Sequence, residues 1–284
     1  MKTSSSPVGD ITIAFQGDHY AFSELAAKVY FGEQAACLPC QSFEAVFAAV
    51  ASGSSQYGII PIENSSTGSI HVNYDLLLRH DAVIVGEVYY KVDHQLIANP
   101  GVRLEDIRDI HSHPQALEQC RQFITSLAQV RALPSFDTAG SVRMIRDEKL
   151  HHAAAIASRK AAEDYGMQIL RQDIQDLSEN FTRFLVLARE ADPAGSGDKT
   201  SIVFAAQNIP GALFKSLSAF ALRDIDLCKI ESRPWRGRPF EYIFYLDFRG
   251  NLETTACRNA IRHLEEMTSF LKILGSYQAG NGLK

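Results

Sequence analysis

Between residues 10 and 190 the sequence alternates, at short spacing, between β-branched apolar runs and stretches whose apolar residues recur at helical intervals. Residues 10–16 predict a strand closing on Gly17, and 23–31 a helix; the pattern continues as 35–40 extended, 42–51 helical, 57–62 extended, 69–79 helical and 82–87 extended. Strands and helices interleaved this tightly leave few arrangements. The expected one is an α/β fold with a parallel or mixed sheet and helices on its faces, where ligands bind beyond the carboxyl ends of strands.

Residues 88–99 alternate at period two and are long for one strand, as a crossover between two lobes of one domain would be. A second set follows, with 106–111 extended, 114–126 helical, 130–136 extended, 139–148 helical, 153–157 extended and 160–165 helical. The segment from Glu179 to Ala188 then puts Asn180, Thr182 and Arg183 at the entrance of an apolar strand. It returns from the second lobe and is expected beside the hinge, facing the loops at Asn64 and His113. A Gly-, Pro- and Ser-rich stretch over 191–198 ends this domain.

Beyond it, a strand (200–206), a helix (211–223), strands (226–233 and 240–248), a helix (252–270) and a strand (273–278) follow the βαββαβ order of a ferredoxin-like unit. Helical spacing predicts that the first helix buries Leu213, Leu217, Phe220 and Ala221, and the second Cys257, Ile261, Leu264, Thr268 and Leu271.

With 284 residues, 46% of them apolar and 21% charged, the chain can bury a full core. Its net charge is −5, and Lys and Arg are scattered, which argues against a nucleic-acid surface. No apolar run reaches the roughly 18 residues of a membrane span, and Met1 to Pro7 lack the apolar region of a secretory signal. A cytoplasmic protein is the simplest expectation, although a trimmed organellar transit peptide would leave no trace. Five widely spaced cysteines predict reduced thiols. Cys37 and Cys40 share the spacing of redox and zinc motifs but lie in a short strand with no second pair. His111 with His113, and His151 with His152, have no thiol or carboxylate cluster beside them, so no metal is expected. With no glycine-rich dinucleotide loop or Schiff-base lysine setting either, no cofactor is expected.

The chemistry concentrates at strand ends. Glu63 to Ser69 runs from a strand toward a helix, where backbone N–H groups with Asn64, Ser65 and Thr67 would form an anion pocket; a plain turn with Ser69 as N-cap suits the segment equally. Ser112-His113-Pro114-Gln115 places Pro at a helix's first residue, and Phe136 to Ser141 makes another strand-to-helix turn. Thr182 can donate and accept, Arg183 is a permanent cation, and Asn180 carries both amide functions.

Taken together, these segments resemble the monofunctional prephenate dehydratases and the related arogenate dehydratases, from about Ile11 to Tyr277. The stretches that carry the resemblance are Gly17 to Glu24, Pro61-Ile62-Glu63-Asn64-Ser65 with Gly68-Ser69, Ser112 to Leu117, Asp137 to Gly140, Thr182-Arg183-Phe184, Gly211-Ala212-Leu213 and Glu231 to Pro234. One departure is Tyr20, where the family has Gly before Ala-Tyr/Phe-Ser.

The resemblance implies a bilobal catalytic domain over 8–190 of the periplasmic-binding-protein type II fold. Its lobes would be about 8–90 with 180–190, and 91–179. After the linker over 191–198, it implies an α+β ferredoxin-like ACT regulatory domain over 199–280. The implied activity is that of a carbon–oxygen lyase in L-phenylalanine biosynthesis: prephenate loses CO2 and its 4-hydroxyl to become phenylpyruvate. Arogenate, with an amino group in place of the keto oxygen, is the alternative substrate, and a non-catalytic amino-acid sensor is the rival class.

Hydroxide leaves poorly, so a donor must sit against the 4-oxygen, and Thr182 is the candidate. Ser23, Asn64, Ser65, Gly68, His113, Gln115, Thr138, Ala139, Arg183 and Phe184 are expected around the substrate, with Arg183 and the loop N–H groups on its carboxylates. His113 suits both a proton source and a helix-entry residue. Feedback inhibition by L-phenylalanine is implied at Asn208, Pro210, Gly211, Ala212, Leu213, Glu231 and Ser232. Such units pair, so a homodimer or homotetramer is expected.

Overall fold

The structure, a computed structural model, describes residues 11–191, 197–207 and 209–280. They fall into two compact units, one within Met1–Asn73 and Val88–Phe184, the other within Tyr74–Glu87 and Leu185–Lys284.

The chain opens with β1 (Thr12–Gln16), α1 (Phe22–Phe31), β2 (Ala36–Cys40), α2 (Phe43–Ser52), β3 (Tyr57–Asn64), β4 (Gly68–Ser69), α3 (His71–Arg79) and β5 (Val83–Lys91). It continues through β6 (Gln95–Ala98), β7 (Asp109–Ser112), α4 (Pro114–Gln119), α5 (Arg121–Ser126), β8 (Arg131–Pro134), α6 (Thr138–Asp147), β9 (Ala153–Ala157), α7 (Arg159–Asp164), β10 (Gln168–Arg171) and β11 (Phe181–Ala188). One sheet has the order β2-β1-β3-β11-β5, with β4 folded onto β3; the other runs β10-β6-β9-β7-β8. β1 is parallel to β2 and β3, and β7 to β8 and β9, as the strand–helix alternation predicts.

Helix starts are set locally. The Ser42 hydroxyl accepts from Ala45 N and caps α2, which then buries Val46, Phe47 and Val50. The Asp137 carboxylate does the same for α6 through Gly140 N. In the first unit Ile13, Phe15, Ile59, Ile97, Val142, Ile145 and Phe184 share one buried core.

Three expectations change in this unit. The segment after β3 does not enter a helix directly, and Ser69 is not its N-cap. Asn64 Oδ1 accepts from Ser66 N (2.9 Å) and Thr67 N (3.1 Å), closing a turn that lays β4 antiparallel on β3 and delays α3 to His71. The long extended stretch over 88–99 is broken at Val92–His94, because Val92 N turns to Asn180 O and His94 N to Gln175 Oε1. The helix over 114–126 breaks at Cys120. There Asp176 N takes the Gln119 carbonyl and the Asp176 carboxylate accepts from Gln122 N, starting α5 afresh. The short edge strand β10 carries too little pattern to be read from sequence.

The second unit adds β12 (Lys199–Ala206), α8 (Ala212–Ala221), β13 (Leu227–Pro234), β14 (Tyr242–Arg249), α9 (Thr255–Met267) and β15 (Thr268–Tyr277), in the βαββαβ order. The antiparallel sheet runs β13-β14-β12-β15. Its core joins Ile202, Phe204, Phe220, Leu246, Phe248, Cys257, Ile261 and Leu264. α9 is shorter than its apolar spacing suggests. Thr268 and Leu271 belong to β15, paired with Ala206 and Phe204, so they do not extend the buried face of the helix.

Residues 74–87 pack in this same unit. Lys199 Nζ reaches both Glu87 carboxylate oxygens at 3.0 Å, all buried, and Tyr245 OH donates to Tyr74 O at 2.7 Å. Gly275, at φ 158, has no room for a side chain: a Cβ there would lie 2.1 Å from the Ile84 carbonyl oxygen. Among the described residues no helix is long and apolar enough to cross a membrane.

Candidate active site

A cavity of about 160 Å³ lies in the first unit. Three helix starts border it: Ala21, Phe22 and Ser23 of α1, His113, Gln115 and Ala116 at α4, and Asp137 and Thr138 at α6. Thr182 and Phe184 of β11 form another wall, with Asn64, Ile70, Val92 and His94 nearby. Phe22, Phe43, Phe184, Val92 and Ile70 make much of the lining apolar, which suits a small, partly hydrophobic ligand.

No Lys or Arg lines the cavity among the described residues. Positive potential therefore comes from the helix N-termini, although at α4 and α6 the His113 ring and the Asp137 carboxylate already take one first-turn N–H each.

Thr182 is buried, and its hydroxyl oxygen accepts from Asn64 Nδ2 at 3.0 Å. That contact uses a lone pair and leaves the hydroxyl hydrogen to point elsewhere. Asn64 itself is consumed by the protein. Its Nδ2 also faces Asn180 Oδ1 (2.8 Å) and the Phe181 carbonyl (3.1 Å), and its oxygen gathers the turn of Ser66 and Thr67. Asn64 lines the cavity as expected, but it has no amide hydrogen to spare for a ligand.

Ser65 is away from the cavity. Its hydroxyl donates to Glu179 O and accepts from Phe181 N, both at 2.9 Å, so it straps the turn to β11. Gly68 also lies outside the lining; its φ of 81° serves the hairpin. Ser23, Gln115, Thr138 and Phe184 do line the cavity, whereas Ala139 is in the core. Gln115 Nε2 donates to Thr67 Oγ1. Arg183 is not on the wall. Strand alternation turns Thr182 and Phe184 to the cavity and the buried Arg183 to the opposite face, so it cannot take the role expected for it there.

His113 combines both roles considered for it. Its Nδ1 accepts from Gln115 N at 3.2 Å, capping α4, and the ring lines the cavity. Because Nδ1 accepts, the ring carries its hydrogen on Nε2, and burial pushes its pKa down.

Several wall residues escaped the sequence reading. Gln16 and Phe43 sit where strand and helix ends converge. Asp137, whose carboxyl burial pushes up, accepts from Gly140 N and Asp18 N. His94 is buried, with Nε2 2.8 Å from Gln119 Oε1 and a ring edge-on to Phe22 at 5.3 Å. Burial pushes its pKa down to about 4. The break at 92–94 that brings His94 here has no sequence signal, since the residues alternate as one strand.

In the second unit a separate cavity of about 310 Å³ is lined by Gln207, Ile209, Gly211, Ala212, Leu213 and Phe214 on one side and by Phe240, Glu241, Tyr242 and Phe244 on the other. Of the residues expected around an effector, Gly211, Ala212 and Leu213 line this cavity, Pro210 is off the lining and Asn208 lies outside the described residues. Glu231 and Ser232 are not part of it. β14 lies between β12 and β13, so the loop after β12 meets the start of β14 first.

The folds and the cavity together define an α/β protein with a small-molecule pocket and a second, α+β unit. The sequence pattern of the prephenate dehydratase family matches residues 13–192. The chain belongs to that dehydratase family. Arogenate dehydratase/prephenate dehydratase 2, chloroplastic, of Arabidopsis thaliana is 49% identical over 278 residues, spanning 94% of this chain and 72% of its own. A solved prephenate dehydratase in complex with L-Phe from Arthrobacter aurescens is 30% identical, with a TM-score of 0.85, over 94% of this chain and 90% of that one. A structure described as GqqA, a novel type of quorum quenching acylase, is 36% identical, with a TM-score of 0.83, over 94% and 98% of the two chains.

Proposed function

We propose that the protein converts prephenate to phenylpyruvate by decarboxylating dehydration, with Thr182 as the hydrogen-bond donor to the departing 4-oxygen. The observation that carries this reading is the Asn64 amide on Thr182 Oγ1, which frees the hydroxyl hydrogen to serve as a donor in the cavity. A threonine hydroxyl is a weak acid, so its role is to hold the developing charge of the leaving oxygen within a dry site. His113, neutral with its hydrogen on Nε2, is a second donor on the same wall. The helix starts at α1 and α6 suit the substrate carboxylates. Aromatisation drives the rest.

Acyl transfer, the chemistry in the description of one related structure, needs a nucleophile activated by a base. The group on Thr182 Oγ1 is an amide donor, which takes no proton, so the geometry favours dehydration. The plant relative carries both arogenate and prephenate in its name, which favours arogenate as a second substrate. Turnover of the two substrates side by side, following phenylpyruvate and phenylalanine, tests the assignment; no product from either would refute it.

The catalytic domain is assigned to 8–190 and the regulatory ACT domain to 199–280, joined by a linker over 191–198. L-phenylalanine is assigned as inhibitor at the cavity beside Gly211, supported by the L-Phe complex of the related dehydratase and by the helix start and apolar walls there. Pairing of two such units would make a homodimer or homotetramer part of the switch.

A further inference from the structure

Beside Thr182, three side-chain amides from distant segments close a ring, of which Asn64 and Gln119 themselves line the cavity. Gln119 Nε2 donates to Asn64 Oδ1 (3.1 Å), Asn64 Nδ2 donates to Asn180 Oδ1 (2.8 Å), and Asn180 Nδ2 donates to Gln119 Oε1 (3.1 Å). All three residues are buried. Exchanging the amide oxygens and nitrogens would run the ring backwards, and two backbone contacts forbid that. Ser66 N and Thr67 N can only donate, so the Asn64 atom 2.9 and 3.1 Å from them is oxygen. The Val92 carbonyl can only accept, so the Asn180 atom 3.2 Å from it is nitrogen. Gln119 must then turn Nε2 to Asn64 and Oε1 to Asn180.

Beside its contacts to Ser66, Thr67, Phe181 and Val92, the ring carries one donor path from an input at His94 through Gln119 and Asn64 to an output at Thr182. At the input, Gln119 Oε1 faces His94 Nε2 at 2.8 Å, so that nitrogen carries the imidazole hydrogen and Nδ1 is bare. Nδ1 is buried and has no hydrogen-bond partner among the described residues, which fits a nitrogen that carries no hydrogen. At the output, Asn64 Nδ2 donates to Thr182 Oγ1. An amide that accepts on oxygen becomes a stronger donor through nitrogen, so hydrogen bonds in series reinforce one another. Each donor in this path draws electron density from the next, ending on the Thr182 oxygen and strengthening its O–H as a donor.

We propose that Gln119, Asn180 and His94 are positioning residues that set the direction and the donor strength of the Thr182 hydroxyl. The proposal rests on the reading of Thr182 as donor to the leaving group.

The test is a double-mutant cycle in the full-length protein. Gln119→Glu keeps the shape and both accepted hydrogen bonds but cannot donate to Asn64; Gln119→Leu, neutral and of similar length, is run alongside. Each should lower kcat about tenfold with KM within about twofold, and should cost less than about twofold in a Thr182→Val background, where no hydroxyl remains to polarise. A similar loss in both backgrounds, or none with Thr182 present, overturns the proposal. Nitrogen-15 NMR of His94 reads the ring without activity: protonated Nε2 with bare Nδ1 is expected, and a hydrogen on Nδ1 overturns the stated direction. If Thr182→Val turns over at the wild-type rate while His94 shows the expected tautomer, the leaving-group reading has failed, and the proposal with it. The reverse pair of results leaves that reading standing and rejects the ring's role alone.

Discussion

Asn64 Nδ2 lies 3.0 Å from Thr182 Oγ1, joining the turn after β3 to the first residues of β11. The contact decides what the threonine can do, because an oxygen that accepts from an amide has its own hydrogen free. Thr182→Val keeps the shape and removes the hydroxyl. Turnover should fall by several orders of magnitude with little change in substrate affinity, and Thr182→Ser should keep part of it. Steady-state kinetics with prephenate decide the matter; near-normal turnover by the valine variant would refute the leaving-group role.

Tyr20 holds a φ of 71°, in the left-handed region, at the position where the family places Gly. Its N–H is held by the Glu24 carboxylate, and its ring meets Tyr165 edge-on at 5.2 Å. It is not on the cavity wall. Tyr20→Val should therefore lower stability by about 1–3 kcal/mol, since a β-branched residue resists this backbone conformation. Tyr20→Gly should relax the backbone and lose only ring contacts, with KM unchanged. Denaturant melts that rank valine at or above glycine would contradict this.

His94 makes stability depend on pH. Its folded pKa of about 4 lies below the 6.5 of an ordinary imidazole, so in that interval the unfolded chain binds a proton that the native protein refuses. Burial is the main cause, and the Gln119 hydrogen bond and neighbouring Asp93 oppose it. Stability is thus lost as pH falls from about 6.5 to about 4, by roughly 3 kcal/mol, and levels off below. In His94→Phe this part of the decline should vanish. Parallel stability–pH curves for the two proteins would rule it out.

Gly211 starts α8 at a φ of 75° with open space around it. Gly211→Val strains this start beside the proposed effector cavity and should weaken inhibition by phenylalanine several-fold while basal turnover stays near normal. A substitution is preferred to removal of the C-terminal residues, because 74–87 share a compact unit with 185–284 and would lose their packing partners. Unchanged inhibition in Gly211→Val would place the effector elsewhere.

Much of the site was legible because its residues sit at element boundaries that carry local signals. Pro114 after His113 and the Asp137 cap before Thr138 mark helix starts in the sequence, and both are at the cavity. Thr182 stands out by its hydroxyl at the strand entrance and Phe184 by the family resemblance, while strand period, applied there, turns Arg183 away. Its charge suggested a carboxylate partner, whereas alternation on β11 places it on the other face.

The sequence by itself determined the order and type of most elements, the βαββαβ unit and the threonine at the strand entrance, since periodicity, caps and turn residues act within a few positions of one another. Only the tertiary structure decided that Asn64 serves Thr182 and not a ligand, that Ser65 is a strap, that Phe240, Glu241, Tyr242 and Phe244 and not Glu231 and Ser232 line the second cavity, and that His94 meets Gln119 on the wall that holds the hydroxyl. These facts depend on hydrogen bonds between residues far apart in the chain. The capacity of an amide or hydroxyl is limited to its few hydrogens and lone pairs, and which neighbours use them is settled only when the segments meet.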